Sequence, residues 1–102
     1  MIVKARNKEY KVHIVTGEYT TTGNLAIQLL EDNTNELFAI LTVNLDEKLP
    51  KGYAYLDTNN CPWAVDFVED NNLGQFTGIC GQSGFCTYPL YRFYEEAINN
   101  GR

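Results

Sequence analysis

Apolar and polar side chains alternate along the start of the chain, and this alternation predicts β-strands. It runs through residues 1–5 and 10–16, on either side of the polar residues 7–9, which favours two antiparallel strands joined by a tight turn. Side chains on a strand point alternately to its two faces, so Val12 is expected on a buried face and His13 on the wetter one. The chain is therefore predicted to open with a β-hairpin.

Three further strands are predicted in the next forty or so residues. A Gly23-Asn24 turn signal precedes an alternating run at 25–30, and a longer β-rich run covers Leu37 to Leu45. The polar residues between these two runs favour a hairpin. A loop with Pro50 and Gly52 then leads to a short strand at 53–56. Five strands in sequence suggest a meander.

A first helix is predicted at about residues 61–71. Asn59 or Asn60 is expected to supply the N-cap oxygen, and Pro62 suits the first turn, where its missing N–H costs nothing. Trp63 and Phe67 are spaced by four and mark an apolar face. The outer face is expected to hold three acidic residues, Asp66, Glu69 and Asp70.

The last third of the chain predicts two short strands within residues 75–88, around a glycine loop. Pro89 is then expected to open a second helix at about residues 89–99, because apolar side chains form a stripe at helical spacing from Leu90 to Ile98. The predicted fold class is α+β, with a mainly antiparallel sheet of five to seven strands and two helices in a single domain at 1–102.

Composition favours a globular protein of the cytoplasm. Apolar residues make up 44% of the chain, a level that supports a packed core. The sequence contains no run that approaches the ~18 apolar residues of a membrane span, and its N-terminus lacks the apolar segment of a signal peptide. Three cysteines, Cys61, Cys80 and Cys86, form an odd set, so reduced thiols are expected rather than disulfides.

Charge is distributed unevenly along the chain. The net charge is −5, yet residues 1–11 carry Lys4, Arg6, Lys8 and Lys11 against a single Glu9. The remainder is strongly acidic and should repel phosphate backbones, so direct nucleic-acid binding is disfavoured unless the basic N-terminal segment acts alone. A protein partner with a basic surface is expected instead.

The sequence gives only weak evidence for a catalytic or metal-binding site. His13 and a cysteine could form a nucleophile pair, and His13 with all three cysteines a Cys3His zinc site, but the spacing of zinc knuckles is absent. The glycines at 78–84 lack the lysine and the spacing of a phosphate-binding loop. We therefore expect no enzyme, no cofactor and no metal, with a small cysteine or metal enzyme as the remaining alternative.

Several strings in the chain resemble a small family from Gram-positive bacteria and their mobile elements, a domain of unknown function. The resemblance covers residues 10–94 and is most specific in Asn-Asn-Cys-Pro-Trp at 59–63 and Ser-Gly-Phe-Cys-Thr-Tyr-Pro at 83–89. It implies a passenger of conjugative elements, plasmids or phages. Some relatives are suspected inhibitors of type II CRISPR nucleases.

The leading hypothesis is thus an anti-defence protein that binds a CRISPR effector or its guide complex. Acidic groups on a convex surface can imitate phosphates, and aromatic side chains dominate binding hot spots. The alternative is an accessory protein of a mobile element, monomeric or a homodimer formed through a strand edge. The predicted partner-binding residues are Asp66, Glu69 and Asp70, with the exposed members of Tyr53, Tyr55, Trp63, Tyr88 and Tyr91 as anchors.

Overall fold

The computed structural model describes residues 1–99, which form eight β-strands and two short helices. The strands make two antiparallel four-stranded sheets, so the predicted α+β class with mainly antiparallel strands is confirmed. The elements in chain order are β1 (Ile2–Ala5), β2 (Lys8–Glu18), β3 (Leu25–Glu31), β4 (Leu37–Ile40), β5 (Thr42–Val43), β6 (Tyr53–Leu56), α1 (Ala64–Asp70), β7 (Gly74–Ser83), β8 (Cys86–Phe93) and α2 (Glu95–Asn99).

The first sheet has the order β1-β2-β3-β4, in which each strand pairs with its neighbour in sequence. The predicted N-terminal hairpin is confirmed. Its turn consists of Arg6 and Asn7, which both have positive φ angles of 54° and 63°, as a type I′ turn requires. This turn matches the right-handed twist of the two strands and fixes their register, with Ala5 opposite Lys8.

The predicted strand from Leu37 to Leu45 is divided between the two sheets. β4 belongs to the first sheet and β5 to the second, whose order is β5-β6-β8-β7. Leu41 lies at the division, with its side chain fully buried. Its N–H donates to the Ile27 carbonyl and its own carbonyl accepts from the Asp57 N–H, both at 2.9 Å. Consecutive strands still pair, β3 with β4 and β5 with β6, but the predicted meander does not form one sheet, because the chain changes sheets at this residue.

The first helix is shorter than predicted and has a different start. α1 begins at Ala64, and no side chain caps it. Asn60 does not cap the helix, because its Nδ2 donates to Asp57 Oδ2 at 2.9 Å. Asp57 also accepts from the Asn60 N–H, so residues 57–60 form a side-chain-stabilised turn that precedes the helix.

The predicted helix at 89–99 is wrong for its first half, where the chain continues as β8. Tyr88 and Leu90 pack in one cluster, whereas Tyr91 and Phe93 pack in another, so both faces of this strand are buried. Pro89 is tolerated because the pairing of β8 with β6 reaches only to Leu90. The helical part is confined to α2.

The main core lies between the two sheets and α1. Both sheets contribute fully buried side chains, such as Val12 and Leu29 from the first and Leu56 from the second, and α1 adds Phe67. A smaller cluster around Tyr55 packs beneath the connection between β5 and β6. Within residues 1–99, no helix is both long enough and apolar enough to cross a membrane.

Candidate protein-binding surface

The three acidic residues predicted for the outer face of the first helix lie where expected. Asp66, Glu69 and Asp70 are exposed on α1, while Ala64, Phe67 and Val68 are buried on its other face. The helical period of 3.6 residues separates the two sets. We call the exposed set the acidic helix face.

Tyr91 connects the acidic helix face to the edge of the second sheet. Its hydroxyl donates to Glu69 Oε2 at 2.9 Å, and its ring centroid lies 5.7 Å from that of Phe76 on β7. Burial and the hydrogen bond to Glu69 raise the pKa of Tyr91 to about 12. The hydroxyl therefore keeps donating to the carboxylate even near pH 10, where an ordinary tyrosine is about half ionised.

Strand β7 forms one edge of the second sheet and carries no charged residue along its ten positions. Edge strands usually carry charges that discourage pairing with other chains. β7 instead exposes Phe76 and Ile79, which are 43% and 57% accessible, and Phe85 is fully exposed in the turn that follows. A bulge between Phe76 and Cys80 interrupts the ladder, and Gly78 within it has a φ of 87°.

Tyr91 thus lies between an acidic part of the surface on α1 and an apolar part on β7. We define the α1–β7 surface as Asp66, Glu69, Asp70 and Phe76, with Ile79 further along the same edge strand. It is a candidate protein-binding site, because exposed carboxylates lie beside a ring that a partner could bury.

The predicted aromatic anchors are mostly buried, whereas the acidic residues are exposed. Tyr55, Tyr88 and Tyr91 are at most 7% exposed, so their rings are not available as anchors on this fold. Tyr53 and Trp63 are half-buried. The sequence analysis did not predict the exposed apolar side chains of this region. Large apolar residues in an uncharged, glycine-rich segment could have indicated an exposed apolar patch. These residues are Phe76, Ile79 and Phe85.

Tyr55 has a structural role that explains its burial. Its hydroxyl donates to Glu47 Oε1 at 2.6 Å, and this hydrogen bond, with burial, raises the pKa of Tyr55 to about 12. Its ring lies over Gly81, where a Cβ would come within 2.8 Å of two ring atoms. Tyr55 thus fixes the connection between β5 and β6 against β7.

His13 and the three cysteines occupy separate environments. His13 Nδ1 lies 2.9 Å from Asp32 Oδ1. Cys61 is buried, Cys86 is half-buried and Cys80 is exposed. Burial raises the pKa of Cys61 to about 11, and its thiol donates to the Ile40 carbonyl. Within residues 1–99, no group of three or more potential ligands could hold a metal ion.

A groove of about 820 Å³ lies between α2 and the connection from β5 to β6. Lys48, Lys51 and Arg92 contribute three positive charges to its lining. Three acidic residues balance them in the same lining, so the groove has no clear preference for one class of charged ligand. These are Glu18, Glu95 and Glu96.

Comparisons with known proteins identify the family of this chain. Neither the curated proteins nor the solved structures include a chain that matches this one. A family model described as a domain of unknown function, DUF4313, matches residues 14–100, which is most of the chain and includes every member of the α1–β7 surface. The chain therefore belongs to the DUF4313 family.

Proposed function

We propose that this protein is a non-enzymatic anti-defence protein of a mobile element, which inhibits a type II CRISPR nuclease by binding the effector or its guide complex. The observation that supports binding is the α1–β7 surface. There, the buried side chain of Tyr91 contacts both Glu69 of the acidic helix face and the exposed ring of Phe76.

The acidic helix face suits a partner that carries lysine and arginine. Opposite charges steer two proteins together and fix their relative orientation, whereas the affinity comes mainly from well-buried central contacts. Phe76 is the central contact in this proposal, because it is the exposed aromatic side chain that packs against the core through Tyr91. The carboxylates on α1 would then form a polar rim on one side of it.

The resemblance to proteins of mobile elements motivates the choice of a CRISPR nuclease as the partner. Such nucleases bind guide RNA and target DNA in positively charged channels. A convex row of carboxylates is complementary to a channel of that kind. Binding there would block either guide loading or DNA engagement.

The proposal is tested by cleavage of a target plasmid with a purified type II CRISPR nuclease. The protein is added in excess either before or after guide loading. Inhibition only when the protein is added first indicates that guide loading is blocked, and inhibition in both orders indicates that DNA engagement is blocked. Full cleavage in both orders with nucleases of several type II subtypes contradicts the proposal.

Charge reversal at two positions tests the assignment of the surface. In the variant Asp66→Lys/Asp70→Lys, inhibition is expected to fall at least ten-fold, since each reversal replaces attraction by repulsion. Glu69 is left unchanged because it accepts the Tyr91 hydrogen bond. The matched control is Glu95→Lys/Glu96→Lys on α2, which makes the same change in net charge at exposed positions. Equal inhibition by both variants would contradict the surface assignment.

The alternative function is an accessory protein of the mobile element that pairs with another protein through a strand edge. The uncharged edge of β7 favours this alternative. It predicts no effect on CRISPR nucleases. It also predicts that a lysine substituted for Ile79, which is 57% exposed, abolishes the association, as measured by sedimentation.

A further inference from the structure

A second pocket lies where the N-terminal hairpin meets the chain just before α1. Its volume is about 280 Å³, and its aromatic lining consists of Tyr10, Phe38 and Trp63. Ring centroids are 4.9 Å apart for Tyr10 and Phe38 and 5.7 Å apart for Phe38 and Trp63. We call this site the aromatic pocket. It shares no residue with the α1–β7 surface.

The three rings are only half-buried, so part of each aromatic face remains accessible to a ligand. Their packing on one another holds them in fixed orientations, and a T-shaped contact with Phe67 at 6.0 Å anchors Trp63 to the main core. The pocket is smaller than a typical drug-sized site. Its volume suits a single planar ring system.

Positively charged side chains beside the pocket favour a planar ligand that carries negative charge. Arg6 lines the pocket, and Lys8 is on the same face of β2 as Tyr10, because the two are separated by two positions of a strand. Both cations are exposed, and the ion pair that the structure shows within residues 1–99 is between His13 and Asp32. A cationic ligand such as a methylated lysine would be repelled, whereas a ligand that combines a planar ring with a phosphate would be attracted.

Asn60 adds a polar group to the lining of the pocket. Its Nδ2 and its backbone N–H are both engaged with Asp57, so the side-chain amide is held in place. Its Oδ1 is then the atom left to accept a hydrogen bond. Nucleobases carry N–H donors on the edges that a protein can contact once a base is unstacked.

The backbone at Arg6 gives independent support for a role of this side chain. Arg6 has a φ of 54°, in a turn position where glycine and asparagine are strongly preferred. An arginine there costs conformational energy, and departures of this kind are concentrated at functional sites. The turn would form more readily with asparagine.

We propose that the aromatic pocket binds one base of a single-stranded nucleic acid, with Arg6 and Lys8 contacting the phosphates next to it. Aromatic platforms flanked by cations are the general means of binding single strands. The acidic body disfavours a long contact with the strand, so the phosphate contacts are restricted to the segment that carries the excess positive charge, residues 1–11. This inference goes beyond the proposed protein-binding function and does not depend on it.

Intrinsic fluorescence provides a direct test, because Trp63 is the only tryptophan in the chain and lines the pocket. A single-stranded RNA decamer of adenylate is titrated into the protein. We expect saturable quenching, and little quenching by an abasic decamer with the same number of phosphates. Equal quenching by both decamers, or none by either, would overturn the proposal.

Two substitutions separate binding from folding. Arg6→Asn removes a phosphate contact but suits the turn, so the melting temperature should be unchanged or higher while the affinity for the decamer falls. The slope of log affinity against log salt should also lose ~0.7, the value for one phosphate contact of a single strand. Phe38→Leu removes a stacking face and should weaken binding by roughly ten-fold.

Lys51→Asn is the matched control, since it removes one charge from an exposed position that does not line the aromatic pocket. It should bind the decamer almost as well as the native chain. If Arg6→Asn and Lys51→Asn weaken binding equally, attraction is nonspecific and the proposal fails. Tighter binding of a trimethyllysine peptide than of the decamer would identify the pocket as a cation site and also overturn it.

Discussion

At the scale of single residues, Tyr91 shows how core packing positions the two parts of the candidate binding surface. Its ring is 2% exposed, yet its hydroxyl reaches an exposed carboxylate on α1 and its face supports Phe76 on β7. A tyrosine suits this position because it combines a large apolar body with a polar end. One buried side chain therefore contacts both parts of the α1–β7 surface, at Glu69 and at Phe76.

The close contact between Gly81 and Tyr55 gives a prediction for a single methyl group. In Gly81→Ala, the new Cβ would lie 2.8 Å from two atoms of the Tyr55 ring and 2.9 Å from Leu45. The ring cannot easily move away, because its hydroxyl is bonded to Glu47. We expect a loss of about 1–3 kcal/mol in the free energy of unfolding, measured by urea denaturation.

Gly17→Ala is the control for this prediction. Gly17 is also a glycine within a strand, but it is exposed and nothing lies within 4 Å of the Cβ that would be added. Alanine is favoured over glycine in a strand by roughly 0.5–1 kcal/mol, so this variant should be slightly more stable than the native chain. A similar loss of stability in both variants would show that the contact with Tyr55 is not the cause.

At the scale of elements, the connection between β5 and β6 is held by the side chain of Asn24. This residue is 6% exposed. Its Nδ2 donates to the Glu47 carbonyl at 2.6 Å, and its Oδ1 accepts from the Leu49 N–H at 2.8 Å. One amide thus supports two backbone groups of a loop that covers the smaller cluster around Tyr55.

Replacing this amide should loosen the loop without unfolding the sheets. In Asn24→Ala, two backbone groups lose their partner, which costs about 1–3 kcal/mol for each group that stays buried. Hydrogen exchange at the Leu49 amide should become faster, while exchange at Ile27 in β3 stays slow. Asn24→Asp is the informative comparison, because a carboxylate keeps the acceptor for Leu49 but places a negative charge against the Glu47 carbonyl. Unchanged exchange at Leu49 in both variants would contradict this role.

Element types were predictable from sequence wherever local pattern and tertiary pairing agree. The N-terminal hairpin and β3 follow from alternation alone. The run from Leu37 to Leu45 alternates without a break, yet it crosses from one sheet to the other at Leu41, and only long-range hydrogen bonds reveal the crossing. Residues 89–93 have apolar side chains at helical spacing, but burial on both faces of a strand gives the same pattern of residues.

The candidate surface was predictable only in its helical half. Helical periodicity alone places Asp66, Glu69 and Asp70 on an outer face. Exposure of Phe76 and Ile79 depends on β7 lying at the edge of its sheet, and strand order is a property of the whole chain. Which of the predicted aromatic anchors are exposed could not be predicted for the same reason, since Tyr88 and Tyr91 are covered on opposite faces of β8.

At the scale of the whole molecule, one core joins the two sheets and α1, so these elements should unfold together. Val3 from the first sheet, Phe93 from the second and Val68 from α1 are all members of this core. Cys61 lies in it as well and is 3% exposed. A single thiol in the chain can therefore report on the opening of the entire core.

Thiol labelling measures this opening. The thiolate is the reactive form, and burial raises the pKa of Cys61 to about 11, so its reaction at pH 8 is disfavoured both by access and by ionisation. In the variant Cys80→Ser/Cys86→Ser, Cys61 is the one remaining thiol. Its labelling rate should be lower than that of the urea-unfolded chain by the factor that corresponds to the global free energy of unfolding. The native chain, in contrast, should label rapidly at the exposed Cys80.

The two free energies decide whether the core is cooperative. If the value from labelling equals that from urea denaturation, Cys61 becomes accessible only when both sheets separate. A much lower free energy from labelling would mean that residues 57–63, which include Cys61, open on their own. The turn at 57–60 within this segment is held by the hydrogen bonds between Asn60 and Asp57. Asp57→Ala would then accelerate labelling far more than it lowers global stability, whereas in a cooperative core it changes both by the same free energy.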